Sequence, residues 1–468
     1  MIGEDVLYLT VAELGERIKT RKLSSTELTQ AYLDRSAKLG AKLNSYATLT
    51  RDLALQQAQA ADKEVAAGKY RGPLHGIPYA AKDLLAVKGY PTTWGAKPYA
   101  NQKFDFDATI IEKLNQAGAV LLGKAAMIEL AGGMGYRFAS ASLQGPAKNP
   151  WDETCWTCGS SSGSGGIVAS AQAAFAIGTE TWGSIVCPSA FCGVSGLRPT
   201  YGRVSRHGAM ALAYSMDKIG PMCRAAQDCA LVLAAIAGHD PLGPGSLPGP
   251  NEARFEFRAT LDRKKPLRIG WLTNQWKKVS PGIESAVNAA KEVLAKNGPQ
   301  FQDIALPEGP WEAAAGTIIS VEGAAAFHDL IESGRVSELV DPAGKIGGYV
   351  SQQIPASDFI RSNRVRAICQ KRMSEIFKKV DVLAAASLPA TATNIEANLD
   401  EALDFSDPIG GIGNMCGLPA ISVPCGFEGG KPVGIQFVGP VLGEHAVLAA
   451  ATLFQRHSDW HRKRPPIG

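Results

Sequence analysis

Apolar positions in the first seventy residues recur at helical spacing, and polar start signals mark where each helix begins. Leu28, Tyr32 and Leu39 line one helical face behind Ser24-Ser25-Thr26-Glu27, and Thr10-Val11-Ala12-Glu13 repeats the same opening upstream. In such boxes the N-cap hydroxyl and a glutamate three residues on bond each other's backbone amides, pairing donors that a helix start leaves unsatisfied. An alanine-rich helix follows Leu49 and stops at the Gly68 turn. From Gly76 the period changes. Short apolar runs such as Ala119-Val120-Leu121-Leu122-Gly123-Lys124 alternate with helical stretches, which predicts α/β architecture. Further on, Leu267 to Leu272 reads as a strand. Ile283, Ala286, Val287, Ala290, Val293 and Leu294 form a helical stripe that ends at Asn297-Gly298. The stretch from Trp311 to Phe377 is helical throughout, and the Gly/Pro cluster from Gly238 to Pro250 is the best position for a linker.

Charge and composition narrow the function classes. The chain has 468 residues, with 48 Lys and Arg against 44 Asp and Glu, a net charge of +4. That balance lacks the clustered basic face of a nucleic-acid binder. No apolar run approaches the roughly 18 residues of a membrane span, and Met1-Ile2-Gly3-Glu4-Asp5 has no basic segment of a secretion signal. The expectation is a cytoplasmic protein without nucleic-acid or membrane partners. Nine cysteines, an odd number without framework spacing, fit reduced thiols.

Candidate chemistry concentrates in two serine loops, Cys158-Gly159-Ser160-Ser161-Ser162-Gly163-Ser164-Gly165-Gly166 and Gly178-Thr179-Glu180-Thr181-Trp182-Gly183-Ser184-Ile185. The segment Ile167 to Ala176 between them is expected to be a helix of about three turns. A serine nucleophile needs a base, and neither loop holds a histidine. Lys82 follows the apolar run Gly76-Ile77-Pro78-Tyr79-Ala80-Ala81, which reads as a buried strand. Burial disfavours the charged form of lysine and leaves a neutral amine that can accept a proton.

These residues resemble the amidase signature family, whose Gly-Gly-Ser-Ser-Gly-Gly-Ser and Gly-Thr-Asp-Thr-Gly-Gly-Ser-Ile-Arg loops match the two stretches. The likeness continues through Phe191 to Ser205, and Gly72 to Pro78, Gly417 to Gly426 and Pro432 to Gln436 fit as well. The resemblance implies an α/β/α sandwich with a central mixed β-sheet flanked by helices, one domain over residues 1–468, and a variable helical cap at about 311–377 beside the substrate. It implies Ser184 as nucleophile, Ser160 as proton relay after a cis peptide bond from Gly159, and Lys82 as base. The amides of Thr181, Trp182, Gly183 and Ser184 would form the oxyanion hole, and Gly132, Gly133 and Met134 would line the acyl pocket. No metal or organic cofactor is needed for this chemistry. Asp407 falls where glutamine-handling relatives carry an acidic residue that reads the substrate amine, but Gly410 and Ile412 depart from that segment's Thr and Pro, so no such role is expected of it.

Three departures stand beside the nucleophile: Glu180 for Asp, Trp182 for Gly and Val186 for Arg. They favour a free-standing hydrolase of neutral amides, aryl amides or carbamates, including urethanes, working on a small molecule as monomer or homodimer. The alternative is a glutamine amidotransferase A-type subunit that works with partner subunits. Two further readings compete. Gly159-Ser160-Ser161-Ser162-Gly163 also satisfies the G-x-S-x-G elbow of α/β-hydrolases, but that elbow needs a strand immediately before it, and Asn149 to Thr154 looks like loop. Cys155-Trp156-Thr157-Cys158 could be a redox pair or half a zinc site, but Cys187 and Cys192 do not supply a second C-x-x-C.

Overall fold

Strands from both halves of the chain pair in one eleven-stranded mixed sheet, and the second serine loop leaves it at the end of the strand Phe175–Glu180, while the first follows a strand of a separate two-stranded sheet. The computed structural model describes residues 2–243, 245–249, 254–257 and 265–467, so Pro244 and Pro250 of the expected linker lie outside the described residues. In chain order the strands that matter for the site are β1 (Tyr46–Leu49), β2 (Pro78–Lys82), β3 (Val120–Ala125), β4 (Lys148–Asn149), β5 (Asp152–Trp156), β6 (Phe175–Glu180), β7 (Ser195–Arg198) and β8 (Lys218–Cys223). They are followed by β9 (Arg268–Leu272), β10 (Gln300–Ile304), β11 (Val382–Ala386), β12 (Ala420–Glu428) and β13 (Lys431–Val438). The sheet order is β1-β3-β2-β6-β8-β7-β12-β13-β11-β9-β10, and β4 pairs with β5 in a separate two-stranded sheet.

Strand β2 runs parallel to both β3 and β6, and all five of its residues are buried. Parallel strands covered on both faces read as continuous apolar runs rather than alternating ones, which is why Pro78-Tyr79-Ala80-Ala81 is legible as a strand. Lys82 ends β2 and Glu180 ends β6. The two loops that follow therefore open at the carboxyl edge of adjacent parallel strands, the place where open α/β sheets bind ligands.

Both capping boxes form, and Leu28, Tyr32 and Leu39 are buried. The alanine-rich helix spans Arg51–Ala66. The later stripe forms helix Pro281–Ala295, burying Ile283, Val287, Ala290 and Leu294. Between Trp311 and Phe377 the chain folds as helices Trp311–Ala326, His328–Glu332, Pro342–Gln352 and Ala356–Phe377. Trp311, Ala315, Ile318, Cys369 and Met373 from these helices share an apolar cluster with Leu383 and Ala420 of the sheet and Ile412 of helix Pro408–Met415. Among the described residues, no helix is long and apolar enough to cross a membrane.

Two local expectations fail. The helix between the serine loops is Ser162–Ala169, and Phe175 and Ala176 belong to β6. Asn149 to Thr154, expected as loop, instead contributes to two strands, β4 ending at Asn149 and β5 starting at Asp152. Ser162-Gly163-Ser164-Gly165-Gly166 has weak helix propensity, so packing holds it helical. A Cβ on Gly163 would lie 2.5 Å from the carbonyl oxygens of Ala126 and Ser45, and one on Gly165 3.1 Å from the Cys192 sulfur.

Candidate functional site

The carboxyl end of β2 delivers Lys82 into a ring of hydroxyls. Its Nζ lies 2.6 Å from Ser160 Oγ, 3.0 Å from Ser161 Oγ and 2.9 Å from Thr179 Oγ1. The residue is fully buried, and burial holds its ammonium well below the ordinary lysine value, against the weaker opposing pull of Asp217 and Glu180. Among the described residues no carboxylate pairs with it within 4.0 Å. Such an environment favours the neutral amine, the form of lysine that can accept a proton.

Ser184 is 9% exposed, at the start of the turn into helix Val186–Cys192. Its Oγ accepts a hydrogen bond of 3.0 Å from the backbone N–H of Ser160. The structure thus brings Lys82, Ser160 and Ser184 together as the sequence implies, with the Ser160 main chain rather than its hydroxyl touching Ser184. The expected cis bond ahead of Ser160 is corrected: among the described residues no peptide bond is cis, and the turn is made by left-handed φ values of 70° at Cys158 and 61° at Gly159. Gly159 is needed there, because a Cβ would come within 2.9 Å of Pro188 and 3.1 Å of Ser184 Cα.

Ser161 has no proton to spare for attack. Its hydroxyl donates to the Thr179 carbonyl at 3.0 Å and accepts from the Thr179 amide at 3.1 Å while Lys82 donates to it. That bonding removes the chemical basis of the G-x-S-x-G reading. The C-x-x-C reading loses its geometry too, since the Cys155 thiol donates to Asp152 Oδ2 at 3.3 Å while Cys158 faces Cys187.

The second loop folds around Glu180. Its Oε2 accepts from the amides of Ile185 at 2.8 Å and Val186 at 2.9 Å, and its Oε1 lies 2.6 Å from Arg198 Nη1. Burial alone would raise this carboxyl, but Arg198 and the amide of Val186 pull it down to about 2. Arg198 comes from β7 and also donates from Nε to the Leu418 carbonyl. Arg198 thus pairs with Glu180 from a strand two places away in the sheet, a contact that sequence reading missed because no local spacing announces it.

With residues 185 and 186 tied down and Gly183 at φ 80°, the amides of Trp182, Gly183 and Ser184 donate to no acceptor among the described residues. Such a run of unsatisfied N–H groups has the form of a cradle able to hold an anionic oxygen. The Thr181 hydroxyl donates to Asp217 Oδ1 at 2.6 Å, fixing the start of the cradle. The Trp182 indole turns toward helix Pro408–Met415 and donates to Asp407 Oδ2 at 2.9 Å. Burial pushes the Asp407 carboxyl up to about 6, opposed by the Trp182 and Gly410 hydrogen bonds.

Beside the loop lies a cavity of about 260 Å³, walled by Ala131, Thr179, Thr181, Met210, Leu212 and Asp217 among others. The three residues expected at the acyl pocket sit one step away from it. Met134 is buried, with its carbonyl and sulfur against Gly347 and Gly348, and a Cβ on Gly133 would meet Phe327 at 2.7 Å. A Cβ on Gly132 would meet Tyr136 at 2.7 Å. All three are packed against other protein groups, while their neighbour Ala131 faces the cavity.

Comparison with known proteins corrects two expectations. Over 99% of this chain and 100% of its own length, the A-type subunit of the glutamyl-tRNA(Gln) amidotransferase of Geobacter sp. (strain M21) is 34% identical. The protein of the same name in Moorella thermoacetica is 36% identical over 99% of both chains. Likeness of this extent to subunits of a multi-subunit enzyme overturns the reading as a free-standing hydrolase of neutral amides or carbamates. It likewise overturns the expectation of a small-molecule partner alone. The departures at Glu180, Trp182 and Val186 misled because three positions beside the nucleophile were weighed above likeness along the whole chain; Glu180 keeps a buried carboxylate paired with Arg198, and the Trp182 indole is bonded to Asp407. Among solved structures, the peptide amidase of Stenotrophomonas maltophilia superposes with a TM-score of 0.87 at 32% identity, covering 98% of each chain. The amidase family profile matches residues 27–448, and the chain belongs to that family, the amidase-signature enzymes.

Proposed function

We propose that this chain is the amide-hydrolysing, A-type subunit of a glutamine-dependent amidotransferase, releasing ammonia from glutamine for a partner protein to use. The observation that carries this reading is the likeness along the whole chain to proteins named as that component, whose name points to glutamyl-tRNA(Gln) as the ammonia acceptor. The site geometry is compatible with the chemistry required. Ser184 Oγ attacks the side-chain amide carbon, and its proton passes by way of Ser160 to Lys82, whose Nζ is 2.6 Å from the Ser160 hydroxyl. The carbonyl oxygen becomes an oxyanion in the cradle of residues 182–184, where one lost donor costs about 3 kcal/mol. The proton returns to the leaving nitrogen and ammonia departs. Water then repeats the route, releasing the acid and restoring Ser184.

The test is a comparison of kcat/KM for glutamine and for a neutral anilide, with ammonia or aniline release as the readout. Glutamine is expected to be preferred, and addition of the partner subunits to raise its turnover. A hundredfold preference for the anilide, about 2.7 kcal/mol in transition-state binding, would overturn the proposal.

A further inference from the structure

The Trp182 indole is held from two sides. Its Nε1 donates to Asp407 Oδ2 at 2.9 Å, and its ring lies over Gly410 and Gly411, where side chains could not fit beneath it unchanged. A Cβ on Gly410 would stand 2.7 Å from Nε1, and one on Gly411 3.3 Å from Cζ2. Asp407 is itself fixed. Its Oδ1 accepts from the Gly410 amide at 3.1 Å, capping helix Pro408–Met415, and its own amide donates to Glu312 Oε1 at 2.6 Å. The other Glu312 oxygen accepts from the Ser406 hydroxyl. Glu312 stands in the first turn of helix Trp311–Ala326. Nothing in the acyl-transfer scheme uses these contacts, yet they end on the residue whose backbone N–H is the first of the three in the oxyanion cradle.

We propose that Asp407 is a positioning residue for the oxyanion loop, acting through the Trp182 indole, and that Glu312 anchors Asp407 so that a three-residue chain links the helical 311–377 region to the amides around Ser184. The loop is held on either side of residue 182, by the Thr181 hydroxyl on Asp217 and by the Gly183 carbonyl, which accepts from the Cys187 amide at 2.7 Å, while the amide of residue 182 itself has no protein partner among the described residues. The indole adds a restraint at that residue. Glycine at this position, as in the family pattern, has no side chain to be held, so the device belongs to this chain's own sequence. A movement of helix Trp311–Ala326 on binding substrate or partner would reach the cradle along this route.

The inference rests on Ser184 being the nucleophile, not on which amide is cleaved. Its test is therefore the rate at which phenylmethanesulfonyl fluoride labels Ser184, which needs the cradle to hold the sulfonyl oxygen. Trp182→Phe keeps the ring and backbone N–H and removes the donor. Asp407→Leu removes both acceptors, and Asp407→Asn keeps one oxygen, which can accept from the indole while the Gly410 amide loses its partner. Trp182→Phe and Asp407→Leu are each expected to slow labelling about tenfold, with the double variant no slower than about twentyfold, while Asp407→Asn stays within about threefold of the parent. A near-hundredfold loss in the double variant, a neutral Trp182→Phe, or an Asp407→Asn as slow as Asp407→Leu would overturn the proposal. Should Asp407→Leu not fold, Glu312→Ala replaces it: labelling should slow in the parent and not further in Trp182→Phe, and additive losses would refute the link. Label found on another residue would instead refute the nucleophile assignment, and the positioning role with it.

Discussion

Lys82 Nζ lies 2.6 Å from Ser160 Oγ, in a pocket where its partners are three hydroxyls and where burial favours the uncharged amine. A lysine whose folded-state value is depressed stays neutral at a pH where it would be charged in the unfolded chain, so activity should rise with pH through that lowered value and fall on the acid side. Lys82→Ala is expected to lose about a thousandfold or more in kcat, and Lys82→Arg to be equally inactive, because guanidinium does not deprotonate. A pH–rate profile under conditions where chemistry limits turnover checks this. A flat acid limb would remove lysine from the role of base.

The serines should separate by rank. Ser184→Ala and Ser160→Ala are each expected to remove about a thousandfold of activity, and the double variant little more, because groups in series act non-additively. Ser161→Ala should cost about tenfold, since its hydroxyl ties the Thr179 backbone to Lys82 rather than reacting. Single-turnover kinetics on folded variants would read the order, and Ser161→Ala as damaging as Ser184→Ala would reverse the assignment.

Glu180 and Arg198 form a buried pair whose loss should be felt in stability and activity together. The carboxyl falls from 4.5 to about 2 on folding, so its contribution is complete above about pH 4.5 and disappears as pH drops toward 2. By linkage it amounts to roughly 3 kcal/mol. Arg198→Met strands a buried carboxylate and is expected to cost about 3 to 5 kcal/mol. Denaturant unfolding at pH 7 and pH 3 should show the parent losing more stability on acidification than Arg198→Met. Equal losses would mean that the pair does not govern the acid response.

Gly163 is a packing requirement. A Cβ there would stand 2.5 Å from two backbone oxygens and 2.6 Å from the Ala126 amide nitrogen. Gly163→Ala should destabilise by about 3 kcal/mol despite alanine's better helix propensity. Thermal unfolding measures this, and a rise in Tm would show that the helix can shift away from β3 at little cost.

The contrast between Lys82 and Arg198 shows what sequence can and cannot carry. Lys82, Ser160 and Ser184 stand in ordered, Gly-rich motifs whose backbone turns need those residue types, and the parallel strands around them are apolar on both faces. Both the sheet and the meeting of these three residues were therefore legible. Arg198 reaches Glu180 from another strand, and Asp407 reaches Trp182 across 225 positions. Such pairings depend on sheet order, which periodicity does not encode. Helix Ser162–Ala169 was displaced in the reading because its Ser and Gly residues carry no apolar period and take their conformation from Ala126, Ser45 and Cys192. The likeness to amidotransferase components was hidden for a related reason: substitutions at residues 180, 182 and 186 look like changes of substrate, although Glu180 is paired with Arg198 and Trp182 with Asp407 across distances the sequence does not announce.

The most direct test of the whole account is to map the residue that phenylmethanesulfonyl fluoride modifies, by peptide mass spectrometry, with and without saturating glutamine. The account predicts a single adduct on Ser184, absent in Ser184→Ala and slowed by glutamine. An adduct on Ser161 or Cys187, or labelling of Ser184 that glutamine does not slow, would contradict it.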